Sequence, residues 1–486
     1  MRYLDLSIEE LHALLVKGEV TPLDLTKEAI ELAKNDTNNA FEYICEKEAI
    51  EFASTLLVPE EDNVFWGIPY VAKDNISTKG ILTTASSNIL KDYVPVFDAT
   101  IIKKLKNAKA VLIGKTTLDE LAMGGTGTTG HLGVTYNPYD PSHTYMVGGS
   151  SCGSASVVAN SIVPFALGSD TGDSIRKPSS YAGLVGLKPT WGRISRFGLF
   201  PFAPSLDHVG YFTRNVKDSA HVLNLLAGRD ELDSTSSNKE VNNYLDYSKV
   251  DLKGKRIAVI KTISDAVEST KVKEEFNKTC EALRNNGLIV DFIDFPYDLL
   301  KSILPTYLVI SCAEATSNNA NLDGIKFGLR EGDEKSYQEV MFNARTKGFS
   351  TLIKRRFVIG SYSLYKSNQD KLFIAAQKAR RLIVNKVNEV LATYDAIYLP
   401  CVSEVRNPIA GRNNKDELFE IVENHMAIGN FAGLPSISLP IGLDDNFPFS
   451  ANVTGRAFDE VTLFAIASLI EENTGLRNLS ARKVGL

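Results

Sequence analysis

The spacing of apolar positions changes several times along the chain, and each change predicts a different element. The N-terminus is helical in texture. Ser7 and Glu10 form an S-x-x-E capping box ahead of "ELHALL". Thr21 and Pro22 supply an N-cap and a first-turn proline for a second helix, "LDLTKEAIELAK". Two helices are therefore expected before any strand. From about residue 65 short apolar runs take over: "IPYVA" (68–72) and "AVLIG" (110–114) read as strands, with the helical stretch "ATIIKKLKN" (99–107) between them. Such alternation predicts an α/β fold built on a sheet. Further on, "KRIAVIKTI" and "LIVDFI" read as strands flanking a helix near 268–287, and the longest helical pattern covers 370–394. "AIYLPC" and "SISLPIG" read as apolar strands, and "DEVTLFAIASLIEEN" as a closing amphipathic helix. The polar stretch 228–249 reads as a long surface loop and is the best candidate for an internal boundary. No internal repeat is present.

Composition narrows the class. The chain has 486 residues, 44% hydrophobic and 23% charged, which is ample for a large core. Its net charge of −6 lacks the basic excess of a principal nucleic-acid binder. The five cysteines are scattered and form no CxxC pair, which argues against a disulfide framework or a structural zinc site and for a reducing, cytoplasmic setting. The charged N-terminus is not a secretory signal. No apolar run approaches the roughly 18 residues of a membrane helix.

The region 122–215 is rich in Gly, Ser, Thr and Pro, as expected where backbones approach closely or a site is built. Two phosphate-loop look-alikes fail on context. "GTGTTG" (125–130) neither directly follows a strand nor opens a helix, and "GKTT" (114–117) has Lys109 where the first glycine of a P-loop belongs. Three other features carry chemistry, each with a plainer alternative. "GGSSCGSAS" (148–156) is either a serine-rich helix cap or part of a site, and its Ser150 lies 24 residues before Ser174 in "GSDTGDSIRKP". Ser174 is a nucleophile among backbone donors or one serine of a glycine-rich loop. Lys73, just past an apolar strand, reaches solvent or stays inside; burial would depress its pKa and leave a neutral amine able to act as a base. Among the six histidines, His131, His143 and His208 lie in this region without a hydrolase-like context. Cys152 suits a small buried residue better than a nucleophile.

The runs "GIPYVAKDNI", "GGSSCGSAS" and "LGSDTGDSIRKPSSYAGLVGLKPTWGRIS" together resemble the amidase signature family, strongly over 65–215, with "GNFAGLPSISLPIG" and the closing helix extending the likeness over nearly the whole chain. The resemblance implies a single amidase domain over 1–486: N-terminal helices in 1–60, a signature core in 65–215, and a C-terminal part, 250–486, completing the same large twisted mixed sheet, with helices on both faces. It implies a Ser–cis-Ser–Lys triad of Ser174, Ser150 and Lys73, with a cis bond at Gly149–Ser150. The backbone N–H groups of Thr171, Gly172, Asp173 and Ser174 would form the oxyanion hole. Ser151 would help hold Lys73, or simply cap a helix.

Within the family, "SRFGLFPFAPSLDHVG", "EATSNNANLDGIKFG" and "KRRFVIGSYSL" are most similar to the A subunits of glutamyl-tRNA(Gln) and aspartyl-tRNA(Asn) amidotransferases. That likeness implies a glutaminase that passes ammonia to the B and C subunits of a heterotrimer. ATP and Mg2+ would sit on the B subunit, which would also make the main tRNA contacts, with no cofactor, metal or membrane contact in this chain. Arg356 would hold the glutamine carboxylate as a bidentate fork, whereas Lys354 and Arg355 fit a basic helix face equally well. Glu423 would receive the amino group, or be merely solvated, and Tyr307 would line the pocket. Two positions depart from the family pattern: Cys152 and Asp173 each stand where glycine is usual. A bare carboxylate about 5 Å from an oxyanion would cost roughly 3 kcal/mol at an effective dielectric of 20. Asp173 must therefore turn away or pair with Arg176 or Lys177, or meet the substrate ammonium, or impair the site. The readings carried forward are the glutaminase subunit, a stand-alone amidase for another small amide, and an inactive amidase-fold scaffold.

Overall fold

The N-terminal signals act as the sequence predicts. In the computed structural model, which describes residues 2–410 and 417–484, Ser7 caps helix Ile8–Val16 and Thr21 caps helix Pro22–Lys34, each through a reciprocal capping box. The strands follow as β1 (Phe41–Ile44), β2 (Pro69–Lys73), β3 (Val111–Thr116), β4 (Phe165–Asp170), β5 (Val185–Lys188) and β6 (His208–Thr213). They continue as β7 (Arg256–Ile260), β8 (Ile289–Ile293), β9 (Ala396–Pro400), β10 (Ser436–Asp444) and β11 (Phe447–Gly455). These eleven form one mixed sheet in the order β1-β3-β2-β4-β6-β5-β10-β11-β9-β7-β8. Every residue of β2, β4, β5 and β6 is buried. Successive side chains point to opposite faces, so both faces are covered there. No helix among the described residues is long and apolar enough to cross a membrane.

Two details differ from the sequence expectation. Strand β1 lies inside the segment expected to be helical and pairs antiparallel with β3 at the sheet edge. The polar stretch 228–249 is pinned to the body: Arg193 donates to the carbonyls of Lys239 and Glu240, and Tyr244 is fully buried at the start of a 3-10 turn.

The parallel pairing of β2 with β4 places the site. Its register sets Ala72 beside Leu167, so the next residues, Lys73 on β2 and Gly168-Ser169 on β4, emerge at the same end of the sheet. The loop 171–175 leaves β4 at that carboxyl end, the usual location of sites in such sheets.

Candidate active site

Lys73 is fully buried, and its Nζ is surrounded by serine hydroxyls. It donates to Ser150 Oγ at 2.7 Å, Ser151 Oγ at 2.9 Å and Ser169 Oγ at 3.0 Å. Burial pulls its pKa down to about 7, only partly resisted by the more distant acidic groups Cys152, Asp119, Asp170 and Asp207. The N-terminus of helix Cys152–Ala159 begins at Ser151 and also disfavours a cation there. At neutral pH roughly half the molecules therefore carry a neutral amine, whose lone pair can take the proton of the Ser150 hydroxyl. The Gly149–Ser150 peptide is cis. The nucleophile loop is tied to this turn by Ser151 N–H, which donates to the carbonyl of Ser174 at 3.3 Å.

Loop 171–174 is held by the carbonyls of Gly172, Asp173 and Ser174 and by the Thr171 side chain, while its N–H groups stay free. Arg176 Nη2 donates to Gly172 O at 2.7 Å, Lys177 N–H to Asp173 O at 2.8 Å, and Thr171 Oγ1 to Asp207 Oδ1 at 2.6 Å. Among the described residues, the N–H groups of Thr171, Gly172, Asp173 and Ser174 donate to no protein acceptor. Four N–H donors on the loop that carries Ser174 are thus left without a protein acceptor. Underneath, Arg176 grips Asp170 with two bonds of 2.9 and 3.1 Å, both side chains fully buried, and reaches Met426 O and Asn430 Oδ1 at 2.7 and 2.6 Å.

That capture decides the partner of Asp173. Arg176 is occupied, and Asp173 pairs instead with Lys177 one helical turn on, at 3.0 Å. Lys177 also meets Glu423 Oε2 at 3.3 Å. The expectation of a paired Asp173 holds, with Lys177 as its partner. Cys152 is buried beside Gly127, and burial pushes its thiol up to about 12, which leaves it inert at neutral pH.

The "GTGTTG" loop is already filled. Asp119 accepts the N–H groups of Thr126, Gly127, Thr128 and Thr129 at 3.0–3.2 Å, so a side-chain carboxylate sits where a phosphate would. A Cβ on Gly149 would stand 2.0 Å from Asp119 Oδ2. Gly149→Ala is therefore expected to lower stability by about 1–3 kcal/mol through overpacking and to displace Ser150. Denaturant titration alongside an amide-hydrolysis assay measures both effects.

Two of the expected substrate residues, Tyr307 and Arg356, lie against Phe202, whereas Glu423 lies against Lys177. A Cβ on Gly172 would lie 2.9 Å from the Tyr307 ring, which also packs edge-on against Phe202. Arg356 also lies against Phe202, and its Nε and Nη1 are buried without a hydrogen-bond partner. Lys354 and Arg355 face outward. The helices Ile303–Asn318 and Thr351–Leu364, which carry Tyr307 and Arg356, touch where a Cβ on Gly360 would meet Cys312 O at 2.1 Å. Glu423 is buried, its Oε1 accepting Ser403 N–H at 3.0 Å. Ser169 and Asp119 are the partners that sequence reasoning missed. Ser169 ends a strand with no motif of its own, and Asp119 precedes the loop it fills by 7–10 residues.

A mixed sheet carrying a buried lysine, a cis-linked serine and a serine in a ring of free N–H groups defines an amidase, and the family model described as Amidase matches residues 24–464. The chain belongs to the amidase family, as its motifs predicted. It is 39% identical, over 97% of each chain, to the A subunit of glutamyl-tRNA(Gln) amidotransferase from Lactobacillus johnsonii. The same subunit of Streptococcus gordonii is 40% identical over 96% of each chain. The crystal structure of the A subunit of glutamyl-tRNA(Gln) amidotransferase from Thermotoga maritima superposes with a TM-score of 0.80 and 36% identity, covering 98% of this chain and 96% of that one. Native peptide amidase from Stenotrophomonas maltophilia superposes with a TM-score of 0.79 at 26% identity, over 97% of each chain.

Proposed function

We propose that this chain is the glutamine-hydrolysing A subunit of a cytoplasmic tRNA-dependent amidotransferase. The observation that carries the chemistry is the buried Lys73 amine, 2.7 Å from Ser150 on the turn that holds the Ser174 loop. In this reading Ser174 Oγ attacks the side-chain amide carbon of glutamine while its proton passes to Ser150 and the Ser150 proton passes to Lys73. The oxyanion is received by the free N–H groups of 171–174. Lysine then returns the proton through Ser150 to the departing nitrogen, which leaves as ammonia. Water attacks the remaining ester, and glutamate and free Ser174 are regenerated. Ser151 and Ser169 hold Lys73 in line.

Arg356 takes the substrate α-carboxylate, its buried Nε and Nη1 having no hydrogen-bond partner to displace. Tyr307 forms the pocket wall, and the acidic end containing Glu423 faces the α-ammonium. The B and C subunits receive the ammonia, and the B subunit supplies the ATP and Mg2+ site and the main tRNA contacts. There Glu-tRNA(Gln), Asp-tRNA(Asn) or both are amidated.

The test is ammonia release from glutamine by the full chain, alone and with the B and C subunits, alongside Ser174→Ala and Arg356→Gln. Ser174→Ala is expected to abolish release. Arg356→Gln is expected to raise KM by roughly 10–150-fold, the equivalent of a charge-assisted hydrogen bond of about 1.5–3 kcal/mol. Absence of Ser174-dependent release in both settings would transfer the reading to another small amide or to a scaffold.

A further inference from the structure

Three charged side chains beside the nucleophile are packed too closely to act independently. Lys177 Nζ lies 3.0 Å from Asp173 Oδ2, 3.3 Å from Glu423 Oε2 and 2.5 Å from the Glu423 carbonyl. Both oxygens of the Glu423 carboxylate are engaged, one by Lys177 and the other by Ser403 N–H. Exposure falls in order along the trio, with side chains 19% accessible at Asp173, 10% at Lys177 and 5% at Glu423. Asp173 therefore presents the outermost carboxylate. Two carboxylates and one ammonium sum to −1, the charge that a single cation requires.

Asp173 also occupies a telling position along the pocket. It follows Gly172, which packs on the Tyr307 ring, and Tyr307 and Arg356 flank the same Phe202. A guanidinium with two unpartnered nitrogens and a partly exposed carboxylate thus lie on either side of Tyr307 and Phe202, an arrangement suited to a zwitterion. Lys177 meanwhile draws the Asp173 carboxylate along the helix and away from the N–H groups of its own loop. We propose that Asp173 is the specificity-determining carboxylate for the substrate α-ammonium, with Lys177 shared between Asp173 and the more deeply buried Glu423 so that the trio keeps one net negative charge. This rests on the glutamine reading above and changes which residue meets the amino group. It also gives a reason for an acidic residue directly before the nucleophile: the charge is aimed at the substrate and screened from the oxyanion.

The experiment compares binding of glutamine with that of glutarate monoamide, which is glutamine without its amino group. Titration calorimetry is run on the full chain carrying Ser174→Ala, so that neither amide is consumed. The ratio of the two dissociation constants measures recognition of the ammonium alone. Adding Asp173→Asn is expected to shrink that ratio about tenfold, and Asp173→Gly, which removes the side chain, serves equally if the amide variant does not fold. A ratio unchanged by either variant but collapsed by Glu423→Gln overturns the assignment and returns the role to Glu423. Equal weakening of both amides also overturns it, because a merely structural side chain behaves that way. If neither amide binds the parent Ser174→Ala chain, the glutamine reading itself falls and takes this assignment with it.

Discussion

Lys73→Met is expected to slow amide hydrolysis by a factor of about 10^3 or more while leaving the chain at least as stable as the wild type at pH 7. The rate loss follows from removing the amine that touches Ser150. A positioned base contributes roughly 10^2–10^4, and members of a nucleophilic unit fail together. The stability result follows from linkage. Burial holds Lys73 at about 7, far below the unfolded value of about 10.4. Between those two values the unfolded chain binds the extra proton, so the wild type gains stability as pH rises and carries a penalty of about 4 kcal/mol near pH 7. Methionine removes that penalty but leaves Ser150, Ser151 and Ser169 without their shared donor, which returns about 1 kcal/mol per lost bond. The variant's advantage is therefore full below about pH 7 and shrinks as pH rises toward 10. Denaturant titrations at several pH values, paired with the hydrolysis assay, measure both effects. In the wild type the rate itself should climb as pH rises through about 7, where Lys73 loses its proton.

Asp170→Asn should be the most damaging change to the scaffold of the site, at about 3–5 kcal/mol. Asp170 and Arg176 are both fully buried and joined by two hydrogen bonds. Burial alone would raise the Asp170 carboxyl, but Arg176 outweighs it and holds the group well below the usual carboxylate range. A depressed carboxylate stabilises the fold above its unfolded pKa of about 3.9 and loses that contribution only as pH falls below it. The amide variant leaves a buried guanidinium without its counter-charge at every pH. Arg176 also holds Gly172 O, Met426 O and Asn430, so the nucleophile loop should loosen with it. Asp170→Asn combined with Arg176→Met should cost less than the single change, because no unpaired charge remains. Urea titration of the two variants checks the order.

Much of the fold is legible where the signal is local. The capping boxes at Ser7 and Thr21 and the apolar runs of β2 and β3 depend on neighbours within a few residues, and they appear where the sequence places them. Strand β1 was missed because four half-buried residues at a sheet edge carry little pattern. Lys73, Ser150 and Ser174 were legible only through their motifs, since Lys73 and Ser150 are 77 residues apart and meet only in the folded chain, where the turn before helix Cys152–Ala159 reaches the end of β2. The partner of Asp173 was not legible. Arg176 and Lys177 are both close in sequence, and the choice is made by Asp170 and by Met426 and Asn430, which lie 250 and 254 residues from Arg176. Likewise, nothing near Glu423 in sequence reveals that Lys177 lies against it.

The long reach of Arg176 and Lys177 also bears on how the chain is made. A ribosome delivers Lys73, Ser150 and Ser174 first, yet β5 must wait for β10, and the loop's anchors at Met426 and Asn430 emerge only 250 and 254 residues after Arg176. Pairings so distant in sequence close slowly and late. A nascent chain therefore holds its reactive serine without the supports that organise it until those distant segments have emerged and paired. Interrupted products carry the nucleophile but not the machine.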